Sequence, residues 1–136
     1  MSHVIPSLIK KAFDTTNNVL NVWGDGSHSR SFLYVDDFAR GLIEVTSRYG
    51  CSDAINIGAN EEISIKELAL KICDQVNNHK GSNLVPNFDS KGITGQPRRK
   101  CDVTKLEKEL KFKTNISFDD GLSNTIEWYK KEFVCK

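Results

Sequence analysis

The sequence predicts a mixed α/β fold on three observations. Apolar residues recur at helical spacing in several segments, short apolar runs typical of strands lie between them, and glycine, asparagine and proline mark the boundaries. The chain of 136 residues is long enough to bury a hydrophobic core. We therefore expect one compact unit over residues 1–136, with helices packed on one short sheet or several small sheets.

The first predicted element is a helix from about Val4 to Thr15. Pro6 is tolerated because it falls in the first turn, where a backbone N–H would have no helical partner. The apolar face of this helix consists of Ile5, Leu8, Ile9, Ala12 and Phe13.

A strand, a turn and a second strand come next. The apolar run Val19–Trp23 predicts a strand, Gly24 to Gly26 a turn, and Ser31–Val35 the returning strand. A helix is expected from about Asp36 to Ser47, with Asp36 and Asp37 capping its start rather than acting as paired catalytic carboxylates. Its predicted apolar face consists of Ala39, Leu42, Ile43 and Thr46.

A capping box marks the third helix. Ser64 and Glu67 have the required spacing, and Ile63 and Leu68 are placed to form a hydrophobic staple. The apolar run Ala54–Gly58 before them predicts a short strand. The helix carries Ile65, Leu68, Ala69, Ile72 and Val76 on one face and is expected to stop at Asn77, Asn78 and Gly81.

The last third of the chain predicts a strand over Leu84–Phe88, a loop over Gly92–Pro97 and a short helix over Val103–Leu110. Ser117 and Asp120 repeat the Ser-x-x-acid pattern and open a final helix. Its shared face consists of Phe118, Leu122, Ile126, Tyr129 and Phe133.

Charge and composition exclude several classes of partner. The 19 basic and 18 acidic residues are intermixed and give a net charge of +1, so neither nucleic acid nor an anionic membrane is favoured. No segment approaches the roughly 20 apolar residues of a membrane span, and a cytoplasmic location is expected. The four cysteines are far apart and, like the three histidines, fit no familiar metal pattern, so reduced thiols and no metal site are expected.

One candidate site is the loop flanked by Trp23 and Arg30. An indole can stack on a base or pack beside a sugar, and the planar guanidinium matches phosphate oxygens. This combination indicates a nucleotide-binding loop. The alternative is an ordinary β-turn with an edge aromatic residue and a solvated arginine.

A second candidate site has three successive cations, Arg98 to Lys100, after Gly95 and Pro97. Glycine permits close backbone approach and arginine can chelate two phosphate oxygens, which suits a diphosphate. The alternative is a solvated basic turn. Lys11, on the exposed side of the first helix, indicates by itself only a charged surface.

Four groups of residues resemble one enzyme family. They are His3-Val-Ile-Pro6, Trp23 to Asp37, Ile55-Asn-Ile-Gly58 with Ile63 to Ala69, and Gly95-Gln-Pro-Arg98 with Asp102 to Lys105. Together they resemble the C-terminal, substrate-binding half of the extended short-chain dehydrogenases/reductases that act on nucleotide sugars, and the resemblance covers essentially the whole chain. Within this superfamily the His-Val-Ile-Pro, Val-Trp-Gly and Gly-x-Pro-Arg segments look most like the GDP-L-fucose synthases, which use NADPH.

The resemblance implies a role for five residues. Lys11 would approach the diphosphate of a GDP-linked sugar, Trp23 would line the nucleotide pocket, and Arg30 and Arg98 would hold the diphosphate. His3 would lie near the nicotinamide cofactor, NADP in the intact family.

Two motifs of the family do not occur in these 136 residues. They are the Gly-x-x-Gly-x-x-Gly turn that holds dinucleotide phosphates and the Tyr-x-x-x-Lys pair that transfers protons. We therefore expect a substrate-binding domain that lacks the Rossmann domain, has no catalytic residue and is inactive alone. The alternatives are a non-catalytic module that binds a partner protein or forms a homodimer, and a part of another nucleotide-sugar epimerase or dehydratase.

Overall fold

The structure, a computed structural model, describes residues 3–90 and 95–134. It confirms the mixed α/β class. The elements, in chain order, are α1 (Val4–Asp14), β1 (Val19–Trp23), β2 (Ser29–Arg30), α2 (Val35–Arg48), β3 (Ile63–Ser64), α3 (Ile65–Lys80), β4 (Val85–Asp89), β5 (Arg98–Arg99), α4 (Thr104–Leu110), α5 (Phe118–Tyr129) and a π-helical segment (Lys130–Val134).

The strands form two small sheets. In the first, β1 and β4 are parallel, in register from Val19 opposite Val85 to Trp23 opposite Asp89. In the second, β2 lies between β3 and β5, antiparallel to β3 and parallel to β5. The second sheet carries both predicted arginines.

The main core lies between α1, the first sheet, α3 and α5. Burial raises the pKa of the Cys73 thiol in this core to about 11, because desolvation disfavours the thiolate. A second cluster packs α4 and Phe112 against α2 and the segment before β3. The main core consists of Leu8, Ile9, Ala12, Leu20, Val22, Leu68, Ala69, Ile72, Cys73, Val76, Leu84, Leu122, Ile126 and Tyr129.

Two Ser-x-x-acid patterns correctly predicted the starts of α3 and α5. The Ser64–Glu67 capping box is present, and Ser117 accepts a hydrogen bond from the N–H of Asp120 at the start of α5. The third helix ends at Gly81, whose φ of +62° is left-handed, whereas Asn77 and Asn78 are still helical.

Two predicted strands are wrong. Residues 54–58 have no regular structure, and in place of a strand over Ser31–Val35 the structure has a two-residue strand, Ser29–Arg30, before an irregular segment and the helix that starts at Val35. An edge strand of the same three-stranded sheet, Arg98–Arg99, was expected to belong to a turn. Residues 92–94 of the predicted Gly92–Pro97 loop lie outside the described residues.

The predicted face of α2 is also wrong. Its first turn is capped by no side chain, and Asp37 is buried and binds a distant segment instead of capping the helix. Phe133, expected on the buried face of the last helix, is exposed and contacts the rings of Trp128 and Tyr129. The expected α2 face, Ala39, Leu42, Ile43 and Thr46, is exposed.

The sequence also led to expectations about thiols, metal sites and membrane-spanning segments. Cys51, Cys73 and Cys101 are free thiols, and Cys135 lies outside the described residues. Among residues 3–90 and 95–134, no group of three or more histidine, cysteine or acidic residues is placed to hold a metal ion. Over the same residues, no helix has both the length and the apolar character needed to cross a bilayer.

Candidate functional site

The turn that joins β1 to β2 is held on two sides. The N–H of Gly24 donates to the carbonyl of Asp89 at 2.9 Å. The carbonyls of Gly26 and His28 accept from the N–H groups of Lys66 and Ile65, at 2.9 and 2.8 Å. The turn is therefore fixed on the start of α3, whose first N–H groups it satisfies.

Trp23 and Lys11 form one cationic aromatic surface beside this turn. The Trp23 side chain lies at the end of β1 and is 80% exposed. The Lys11 ammonium lies 5.1 Å from the centroid of its ring and donates to the carbonyl of Asn21 at 3.2 Å. A stacking surface with an adjacent positive charge is chemically suited to a base or sugar joined to phosphate.

Arg30 lies on β2, and its side chain is half-buried. Its Nη1 donates to the carbonyl of Ser29 at 2.6 Å. The strand register places Arg99 directly opposite it on β5. Within the described ranges no carboxylate pairs with either guanidinium. Two like charges on facing positions of neighbouring strands repel each other unless an anion lies between them.

Arg98, in contrast, has a carboxylate partner. Its Nε lies 2.9 and 3.0 Å from the two carboxylate oxygens of Glu62, and its Nη2 lies 2.5 Å from Oε2. The hydroxyl of Ser29 also donates to Glu62, at 2.8 Å. The hydrogen bonds from Arg98 and Ser29 lower the pKa of Glu62 to about 2, and Glu62 raises the pKa of Arg98.

The register of the second sheet separates the two predicted arginines. Arg98 lies opposite Ser29, and Arg99 lies opposite Arg30. Successive side chains of a strand point to opposite faces, so Arg98 shares a face with Ser29 and Glu62, whereas Arg30 extends from the other face. The structure thus brings Arg30 and Arg98 onto adjacent strands without bringing their guanidinium groups to one ligand.

Two cavities adjoin this sheet. A polar cavity of about 480 Å³ is lined by Arg98, Lys100 and Asn60, together with residues 101, 102 and 104. A more enclosed cavity of about 210 Å³ is lined mainly by apolar and hydroxyl side chains from α1, the segments after β2 and before α5, and α5 itself, together with Asn60 and Glu61. The motif segments that carry the family resemblance supply part of each lining.

His3 is exposed at the start of α1. It occupies the N-cap position, but its side chain does not cap the helix, and its carbonyl accepts from the N–H of Ser7 at 3.1 Å. Throughout the part of the chain that the structure describes, no hydrogen bond or ring contact joins His3 to any of the other four predicted site residues. Over the same residues, no such contact joins the Lys11–Trp23 pair to Arg30 or Arg98.

Sequence reasoning missed Glu62 altogether. Glu61 and Glu62 come just before the capping box, and nothing in the sequence indicates which of them faces Arg98. Arg99 was singled out only as a neighbour of Arg98. Had the Arg98–Arg99 strand been recognised, side-chain alternation would have indicated that its two arginines serve different faces.

Comparisons with known proteins relate the chain to one enzyme family. The model of the NAD dependent epimerase/dehydratase family matches residues 1–58. Putative GDP-L-fucose synthase 2 of Arabidopsis thaliana is 36% identical over 99% of this chain and 40% of its own length. GDP-L-fucose synthase of Escherichia coli K12 is 34% identical over 94% of this chain and 42% of its own length.

Solved structures agree with this match. A GDP-L-fucose synthetase from Naegleria fowleri superposes with a TM-score of 0.81 at 26% identity, over 96% of this chain and 40% of that one. A GDP-mannoheptose C4 reductase from Campylobacter jejuni, solved with NADP bound, gives a TM-score of 0.78 at 27% identity, over 95% of this chain and 45% of that one.

The chain spans about two fifths of the length of these curated relatives. Several of them are GDP-L-fucose synthases, which confirms the resemblance found in the motifs. The matches together show that the chain is similar, over nearly its whole length, to part of the extended short-chain dehydrogenases/reductases, and that its first 58 residues match the NAD dependent epimerase/dehydratase family.

Proposed function

We propose that this chain binds the nucleoside diphosphate part of a nucleotide sugar, with a GDP-linked sugar as the preferred ligand. The observation that carries the proposal is the exposed Trp23 indole with the Lys11 ammonium over its ring, beside a fixed turn that leads to Arg30. An indole suits the base or sugar, and Lys11, Arg30 and Arg98 supply positive charge for the diphosphate.

The chain is proposed to be a substrate-binding unit rather than a complete enzyme. In the intact family the nicotinamide cofactor, NAD or NADP, supplies the hydride chemistry. We assign His3 a position near the nicotinamide, but the glycine-rich turn for dinucleotide phosphates and the Tyr-x-x-x-Lys pair do not occur in this sequence. Turnover by the chain alone is therefore not expected. The assignments of residues 1–136 to a single domain and of the protein to the cytoplasm stay predictions.

Isothermal titration calorimetry with GDP tests the binding proposal. We expect saturable heat with the wild-type chain and affinity at least about threefold weaker for Lys11→Ala, Arg30→Ala and Arg98→Ala, because each removes one charge from the ligand's surroundings. Arg48→Ala is the matched control, since Arg48 is an exposed arginine that pairs with Glu44 on α2. Absence of heat, or heat that all three site variants retain, would refute the proposal.

A related candidate differs in the nucleotide. Relatives named as a UDP-N-acetyl-alpha-D-glucosaminuronate decarboxylase and a probable dTDP-glucose 4,6-dehydratase match the chain at 36% and 34% identity. Titrations with UDP and dTDP beside GDP decide between these ligands. A clear preference for UDP or dTDP would replace GDP in the proposal and leave the diphosphate residues unchanged.

The second candidate function is docking of a protein surface on α2. This helix exposes Val35, Phe38, Leu42 and Ile43, an apolar face that an isolated soluble domain would normally bury. The matched relatives are more than twice as long as the region that this chain covers, so in those proteins further chain is available to cover such a face. A partner protein or a second copy of this chain could bind there.

A further inference from the structure

Glu62 holds Arg98 across the middle strand of the second sheet. Glu62 directly precedes β3, Arg98 belongs to β5, and Ser29 of β2 lies between them and donates to the same carboxylate. The Glu62 side chain is 20% exposed and is followed by the buried Ile63, whereas the Arg98 side chain is 67% exposed. The carboxylate is therefore the fixed partner and the guanidinium the movable one.

The contact uses the part of Arg98 that an anionic ligand would need. Its Nε and Nη2 form one edge of the guanidinium, and both donate to Glu62. This edge, with two parallel N–H groups, is one that binds a carboxylate or a phosphate in bidentate fashion. A phosphate can bind this edge of Arg98 only after the hydrogen bonds to Glu62 have been broken.

The position of Arg30 adds a second requirement. Arg30 extends from the face opposite to Ser29 and Glu62, so a single diphosphate cannot reach both arginines while Arg98 is paired with Glu62. A phosphate offers the same edge of the guanidinium a bidentate, charge-assisted contact of the same kind. Exchange of Glu62 for a phosphate therefore replaces one strong contact of Arg98 with another.

We propose that Glu62 is an internal counter-ion that competes with the ligand's diphosphate for Arg98, and that ligand binding transfers the Arg98 guanidinium from Glu62 to a phosphate group. This inference rests on the proposed function for the identity of the ligand. Glu62 thereby lowers the affinity of the site for every anion that needs Arg98, and it selects ligands with enough charge to displace it. The carboxylate is charged at neutral pH, because the hydrogen bonds from Arg98 and Ser29 lower its pKa.

The test is Glu62→Gln, which removes the charge, keeps the size and leaves an oxygen for the Ser29 hydroxyl. Calorimetry with inorganic pyrophosphate and with GDP should show binding tighter by about threefold or more, because a competing anion has been removed. Glu44→Gln is the matched control, since it breaks another exposed arginine–glutamate pair, on α2, and should leave both affinities unchanged. Unchanged or weaker binding in Glu62→Gln would overturn the proposal.

Double variants identify the arginine involved. The gain from Glu62→Gln should vanish in an Arg98→Ala background and persist in an Arg99→Ala background. The reverse result would mean that Glu62 competes with the ligand for Arg99 and not for Arg98, which would overturn the proposal. If Glu62→Gln tightens pyrophosphate while GDP binds no better than pyrophosphate, the proposed nucleotide function fails and the counter-ion survives. If GDP binds through Trp23 and Glu62→Gln does not change its affinity, only the counter-ion proposal fails. If neither the wild-type chain nor Glu62→Gln binds GDP or pyrophosphate, both the nucleotide function and the counter-ion proposal are refuted.

Discussion

Asp37 shows how a single buried carboxylate connects distant parts of the chain. Its side chain is 2% exposed and accepts from the N–H groups of Asn115 and Ile116, each at 2.9 Å, and from Arg40 at 2.6 Å. Burial by itself raises the pKa of this carboxyl, but the hydrogen bonds from Ile116, Arg40 and Asn115 outweigh it, so the pKa is lowered. Asp37 thus fixes α2 to the segment that leads into α5.

We predict that Asp37→Asn destabilises the fold by about 1–3 kcal/mol, since an amide leaves buried N–H groups poorly paired. Asp36→Asn, one residue away on the exposed side of the helix, should stay within about 0.5 kcal/mol of wild type. Urea unfolding at neutral pH measures both free energies. Equal effects of the two substitutions would show that Asp37 carries no special contact.

The effect of Asp37→Asn on the free energy of unfolding is expected to depend on pH. Because the pKa of Asp37 is lower in the folded protein than its ordinary value of 3.8, the stabilisation by its charge is fully present above that value. It is lost as the pH falls through the lower, folded pKa. The difference in unfolding free energy between wild type and Asp37→Asn should therefore shrink at acid pH, and a constant difference would argue against this origin.

At the scale of elements, the turn between β1 and β2 positions the candidate site. It places Trp23 before two left-handed glycines and returns the chain at Arg30, while its carbonyls cap α3. Two features require glycine at residue 26: its φ is +79°, and a Cβ there would lie 2.7 Å from Cε1 of Phe88.

Gly26→Ala should therefore destabilise the chain by more than about 1 kcal/mol, through backbone strain and the clash with Phe88. Gly50→Ala is the control, since a Cβ at residue 50 meets nothing within 4 Å. Thermal unfolding followed by circular dichroism compares the two. A Gly26→Ala protein as stable as Gly50→Ala would mean that the turn adapts and does not fix Trp23 relative to Arg30.

The elements that the sequence could predict are those with local signals. The Ser64–Glu67 box and Ser117 mark helix starts because a cap and its partner lie within one turn. The strands of the second sheet are two residues long and have no periodicity, so only their pairing with distant strands defines them. The sequence did identify Trp23 and Arg30 as candidates, because they flank one short loop. It could not predict that Glu62 holds Arg98, because that contact depends on the pairing of distant strands.

The predicted face of α2 failed for a related physical reason. The apolar residues of this helix do have helical spacing, as the sequence indicates, but the described part of the chain packs on the opposite side, around Asp37 and Gly41. A Cβ at residue 41 would lie 2.7 Å from Ile57, which shows how closely that side is packed. Periodicity identifies an apolar face without identifying what covers it.

At the scale of the whole molecule, the uncovered face of α2 predicts association. Val35, Phe38, Leu42 and Ile43 lie on one helix, and Ile43 is 67% exposed. We expect the mass of the chain, measured by size-exclusion chromatography with light scattering, to rise with concentration.

Ile43→Lys should suppress that rise, because it places a charge in the apolar face. Leu70→Lys is the matched control, since Leu70 is an exposed leucine on α3 and should leave association unchanged. A chain that is monomeric at every concentration would speak against a partner surface on α2 that a second copy of this chain can cover.

The most direct test of the central claim, that Trp23 and the arginines of the second sheet serve one ligand, is a titration of the isotopically labelled chain with GDP, followed by nuclear magnetic resonance. We predict that the indole N–H of Trp23 and the backbone amides of Arg30 and Arg98 shift together and saturate at one ligand concentration, since the proposed ligand contacts Trp23 and Arg30 and draws Arg98 away from Glu62. Shifts that saturate separately, or that spare Trp23 or the arginines, would contradict a shared site.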